Sequence, residues 1–272
     1  MINQPTLDES VRDLEAYTSL KWMAWGVRPI LLFAAGYTII GILHEWSHAL
    51  MAFALKVPST LFHLYVHLNR TDGTINQRSV IGVAGPLFCL VLGLVCGFAY
   101  RNTKGSRAGL LLLYLAWFGT STFFGNLIST PFVGDFSSLA LAFHLPMSVR
   151  YALAVVGLLS LSGLSFLIGR ELRTWVPVGV SAVRAMVGMI VIPAIVGQAL
   201  AILIFLPMPF AFAITRVGES AFWIFAVVGI LISRKQSAET SRGLGWSWMD
   251  LAFLLVPILL VRTMVGGITL VP

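Results

Sequence analysis

The pentapeptide His44-Glu45-Trp46-Ser47-His48 carries the chemistry of this chain. Histidines four positions apart on a helix lie one turn apart on the same face. That is the spacing of two ligands to one zinc ion, with the adjacent glutamate placed to act as general base. The flanks are unlike those of a soluble zinc protein. From Ile30 to Leu55 almost nothing is polar except the pentapeptide. Three ionisable groups in an apolar helix of bilayer length are expensive, and such groups mark functional positions. The structural alternative is a pair of helix-packing histidines with satisfied hydrogen bonds.

Catalytic zinc sites usually have three protein ligands and an open position for water. The third ligand must come from elsewhere, and His63, His67, Asp72, Asp135, His144, Glu171, Glu219 and Asp250 are the candidates. Asp135 stands out, because it ends the Pro/Gly-broken link Thr130-Pro131-Phe132-Val133-Gly134. Irregular backbone at membrane depth is tolerated where it is buried in protein or lines a wet cavity. Asn126 is a polar side chain shortly before that link, with helix bridging as its structural alternative.

The elements that must position these residues are apolar. The chain has 272 residues, 58% of them hydrophobic and 11% charged, with a mean hydropathy of +0.89. A soluble domain carries roughly a quarter charged residues. The expected fold is therefore an all-α polytopic membrane protein, integral and multi-pass. The net charge of +7 does not point to nucleic acid, because the basic residues are parcelled into short segments between apolar runs. The first twenty residues include Asp8, Glu9, Asp13 and Glu15 and lack an apolar stretch, so no cleavable signal peptide is expected.

Spans are expected near 27–55, 80–100, 108–129, 149–169, 181–206, 210–232 and 250–268, six to seven in all. A polar or interfacial arm, 1–26, precedes them. Arg216 and Glu219 interrupt the sixth span and are expected to pair with each other. Between the first two spans, Leu61–Leu68 alternates partly like a strand and Thr71-Asp72-Gly73-Thr74 reads as a turn, which predicts a short hairpin. Gly93 and Gly97 form a small-xxx-small pair for close helix packing. Cys89 and Cys96, seven residues apart in one apolar segment, are too far apart for a disulfide within that helix and read as small apolar packers. Trp22, Trp25, Trp246 and Trp248 read as interfacial anchors. The Lys/Arg distribution favours a cytoplasmic N-terminus, which would put the pentapeptide nearer the outer or lumenal face.

Three segments together resemble the site-2 protease family of intramembrane zinc metalloproteases. They are His44-Glu45-Trp46-Ser47-His48, then Gly82-Val83-Ala84-Gly85-Pro86-Leu87 opening the second span, then the stretch from Asn126 to Asp135 at the third. The expected hairpin is also similar to that family's membrane-associated β element. The resemblance covers about residues 27–136, leaving 137–272 as additional transmembrane helices. It implies a three-helix catalytic core in which one zinc ion is held by His44, His48 and Asp135. It further implies that Glu45 activates the zinc-bound water and that Asn126 positions the substrate backbone or stabilises the oxyanion. The implied substrate is a transmembrane or membrane-tethered peptide, which must be unwound locally and could be accepted by edge addition to the Leu61–Leu68 strand. Phe136 stands where the family usually has glycine, and the segment from Asn126 to Asp135 is about one residue longer than usual. Two other functions use the same residues. One is a zinc hydrolase acting on a lipid or small amide, and the other a non-catalytic scaffold or transporter that retains a zinc site.

Overall fold

A computed structural model describes residues 7–69, 73–106, 108–176, 180–209, 220–233 and 247–272, with backbone alone for 7–26 and 220. Eight helices and a small sheet are present among them. The helices are α1 (Leu7–Ala54), α2 (Ile75–Thr103), α3 (Gly109–Ser129), α4 (Asp135–Ala142), α5 (Met147–Thr174), α6 (Ala182–Ile204), α7 (Trp223–Ile232) and α8 (Trp248–Met264). Five are long and apolar enough to cross a membrane: Val27–Ala54 within α1, α2, α3, α5 and α6. They match the first five expected spans. The expected pair Arg216 and Glu219 lies outside the described residues, as do Asp72 and Trp246.

The first span begins as the continuation of a helix already running from Leu7, so the expected arm is helical from that residue onward. It ends at Lys56, whose φ of 59° takes the left-handed turn that stops the helix. The second helix starts earlier than expected. Thr74 accepts the Gln77 amide at 3.3 Å while the Gln77 side chain accepts the Thr74 amide at 2.8 Å, a reciprocal cap that opens the helix before its apolar part. Gly85-Pro86 therefore lies inside α2 rather than at its mouth. This corrects the expected position of the glycine-proline segment.

The hairpin is also placed differently. Strand β1 (Ser59–Leu61) turns back through residues 62–65, closed by Phe62 N–H to Tyr65 O at 2.9 Å, and pairs with β2 (Val66–His67). A third strand, β3 (Ile268–Leu270), pairs antiparallel along the other side of β1, with Thr60 opposite Thr269. The order β2-β1-β3 makes β1 the central strand. Leu61 thus belongs to a strand with both edges filled, not to an open Leu61–Leu68 edge. The seventh apolar run ends early for a local reason: Gly267, at φ 80°, turns the chain out of α8 and into β3.

Inside a bilayer, helices associate through close packing rather than through exclusion of water. The packing here has two centres. Aromatic rings tie α1 to α3 and α7: the Phe33 ring meets Phe118 edge-on at 4.9 Å and Tyr114 at 5.7 Å, and Trp223 lies 5.4 Å from it. Glycines tie α2 to α3. A Cβ on Gly93 would lie 2.7 Å from the Thr120 amide nitrogen, so only glycine allows this crossing. Gly97, its partner in the expected pair, faces Ala116 at an ordinary 3.6 Å. The tight crossing falls one turn beyond Cys89 on α2, which holds the middle of that helix against its neighbours.

Candidate metal centre

The histidines of α1 meet the start of α4 across the bundle. Nε2 of His44 lies 3.1 Å from Oδ2 of Asp135, and Nε2 of His48 lies 3.6 Å from the same oxygen. The two Nε2 atoms are 3.1 Å apart. Three metal-ligating atoms thus converge on one point, and among the described residues no other group of histidine, cysteine and carboxylate does so. His48 is buried and the Asp135 side chain is 29% exposed, so the group opens on the Asp135 side.

Each of the three side chains is held from behind. A carbonyl oxygen only accepts, so the 2.6 Å contact between His48 Nδ1 and Ile81 O fixes the proton on Nδ1 and leaves the Nε2 lone pair facing the group. Nδ1 of His44 faces Sγ of Cys89 at 3.7 Å. Gly85 lies between these two contacts on α2, and its missing side chain is what admits the rings. A Cβ there would lie 2.7 Å from Cε1 of His48 and 2.8 Å from Cε1 of His44. Ile81, Gly85 and Cys89 are spaced by four, so a single stripe of α2 backs both imidazoles.

Asp135 is aimed by the link before it. The Phe132 and Val133 amides bond to Ser129 O at 2.8 and 3.0 Å, and Gly134 takes φ 97°. That left-handed residue redirects the chain so that Asp135 is the first residue of α4. The Asp135 amide donates to Oδ1 of Asn126 at 3.3 Å, and the Asn126 side-chain amide donates to Thr122 O at 3.0 Å. Phe136, where the family resemblance leads one to expect glycine, is buried with its ring 5.4 Å from that of Phe123.

Glu45 follows His44 in α1 and is buried. Of the other candidate ligands, Asp72 and Glu219 lie outside the described residues, and the rest are engaged elsewhere or exposed. Nε2 of His63 contacts Phe205 O and Pro207 O at 3.0 Å each. Glu171 pairs with Lys104 at 2.6 Å, and Asp250 with Arg28 at 3.1 Å. His67 and His144 are exposed. Sequence reasoning missed Cys89 and the Ile81 carbonyl as neighbours of the histidines. The fourfold spacing of Ile81 and Cys89 about Gly85 was the available signal.

Searches of family models, curated proteins and solved structures gave no match to this chain.

Proposed function

We propose that this protein is an intramembrane zinc metalloprotease hydrolysing peptide bonds in transmembrane or membrane-tethered substrates. The observation that carries the proposal is the convergence of His44, His48 and Asp135 inside a bundle of membrane-length helices, with Glu45 buried beside the first histidine. The catalytic core in this reading is 27–136, and the helices of 137–272 pack around it.

The donor set fits zinc. Two imidazoles and one carboxylate leave a fourth position of a tetrahedron open, the pattern of catalytic sites. Ligand atoms about 2.0–2.1 Å from one tetrahedral ion stand roughly 3.3–3.4 Å from one another. The separations of 3.1, 3.1 and 3.6 Å bracket that value.

Bound zinc supplies Lewis-acid polarisation of the scissile carbonyl and lowers the pKa of water from 15.7 toward about 7. The remaining work belongs to the chain. Glu45 takes the proton of the attacking water and later delivers it to the leaving amine. His48 and His44 keep Nε2 directed at the centre through their Nδ1 contacts. Asn126 holds the Asp135 backbone and so the start of α4. A helical substrate must be unwound before cleavage, because its carbonyls are tied up in hydrogen bonds. With both sides of β1 filled, the outer edges of β2 and β3 are where an unwound segment would pair.

The decisive experiment uses the full chain in detergent or vesicles with a single-span peptide, product mass being read by mass spectrometry. Wild type with zinc cleaves the peptide. Glu45→Gln retains zinc and loses activity by about 10²-fold or more. Release of a lipid product with the peptide intact would replace the proposal with a lipid hydrolase. Function unaffected by Glu45→Gln would replace it with a non-catalytic scaffold or transporter.

A further inference from the structure

Two histidines of one metal centre have their outer nitrogens satisfied in different ways. Nδ1 of His48 donates to a backbone carbonyl at 2.6 Å, a partner that no substitution of a side chain removes. Nδ1 of His44 meets the Cys89 sulfur at 3.7 Å. Cys89 is fully buried and also lies 4.0 Å from Ile40 O. That carbonyl can only accept, so it offers the thiol hydrogen a partner that leaves the sulfur lone pairs for the imidazole. With a metal on Nε2, the hydrogen of His44 stands on Nδ1 and the Cys89 sulfur is its acceptor.

We propose that Cys89 is a positioning residue for His44, its sulfur accepting the Nδ1 hydrogen so that Nε2 is presented to the metal. The proposal rests on the metal centre described above. It distinguishes Cys89 from Cys96, which lies two turns further along the same helix and has no contact with a ligand among those found for the described residues. Partners of this kind fix the tautomer and ring orientation of a ligating histidine, and their loss typically weakens metal binding about 10- to 100-fold. A sulfur acceptor is weaker and longer than a carbonyl. His44 is therefore the less firmly oriented of the two histidines, and the one whose ring responds to a change on α2.

The test measures zinc affinity of the full chain in detergent by competition with a chromogenic chelator, so that catalysis is not needed. Cys89→Ala is expected to weaken zinc binding about tenfold or more. Cys89→Ser, which keeps an acceptor, is expected to restore part of that loss, and Cys96→Ala to match wild type. Cobalt substitution gives a second readout, because a reoriented His44 alters the visible absorption of the bound ion. Wild-type affinity and a wild-type cobalt spectrum in Cys89→Ala would overturn the inference while leaving the metal centre intact. Should the alanine variant fail to fold, the serine variant decides: an affinity between those of wild type and His44→Ala, with an altered cobalt spectrum, supports the role, and wild-type affinity with a wild-type cobalt spectrum overturns it. A wild type that takes up no metal overturns the centre itself and this role with it.

Discussion

Gly85 leaves open the space that the His48 imidazole fills. A Cβ at this position would lie 2.7 Å from Cε1 of His48 and closer still to Nε2, the atom that faces Asp135. The first prediction follows. Gly85→Ala is expected to displace the ring and lower zinc affinity by at least about tenfold, a cost comparable to losing a partner of the ligand. Gly82→Ala is the matched control on the same helix, because nothing lies within 4 Å of its would-be Cβ. Chelator competition on the two variants checks this, with Gly82→Ala expected to bind as wild type does.

The ligand set itself gives the second prediction. Wild type is expected to bind about one zinc per chain, and His44→Ala, His48→Ala and Asp135→Ala to bind little or none, since each removes one of three donors. His67→Ala and His144→Ala, changes at exposed positions, should bind normally. Elemental analysis of the purified variants is sufficient. Zinc bound equally by wild type and Asp135→Ala would remove the third ligand from the site.

A third prediction concerns Asn126. The resemblance implies a role toward substrate, whereas the contact at hand is with the Asp135 amide at 3.3 Å. A residue acting only on substrate would change kcat or KM and leave metal affinity alone. A residue acting through Asp135 would change both. Asn126→Ala is expected to weaken zinc binding about tenfold as well as slow peptide cleavage. Measuring affinity and kinetics on one preparation separates the two roles.

Much of this arrangement was legible in the sequence because its signals are local. The length of each apolar run marked the first five spans, and the spacing of His44 and His48 put both rings on one face. Asp135 was singled out by Pro131 and Gly134, and the left-handed Gly134 is indeed what turns the chain into α4. What escaped was non-local or was masked by polarity. Ile75–Ser79 reads as loop because it is polar, although Thr74 and Gln77 cap a helix there. Nothing near Ile268–Leu270 announces a strand, because its partner β1 lies some two hundred positions earlier. Cys89 reads as a packing residue, and it is buried as such. Its second role depends on which ring α2 is laid against.

The last prediction concerns charge far along the chain from the metal centre. Nε of Arg28, at the start of the first span, lies 3.1 Å from Oδ1 of Asp250 at the start of α8, and both side chains are buried. The other oxygen of Asp250 accepts the Ser247 amide at 2.8 Å and caps α8. Asp250 therefore does two things, and they can be separated. Asp250→Asn keeps an acceptor for the cap while removing the charge opposite Arg28. Breaking a buried pair from one side typically costs about 3–5 kcal/mol, whereas replacing both partners by apolar residues is often neutral. Asp250→Asn is accordingly expected to lower the thermal unfolding midpoint sharply. Arg28→Met combined with Asp250→Asn should recover most of that loss, because no uncompensated charge then remains and the cap persists. Thermal unfolding in detergent, followed by tryptophan fluorescence, reads both effects. A double variant no more stable than Asp250→Asn would show that Arg28 contributes through contacts other than this pair.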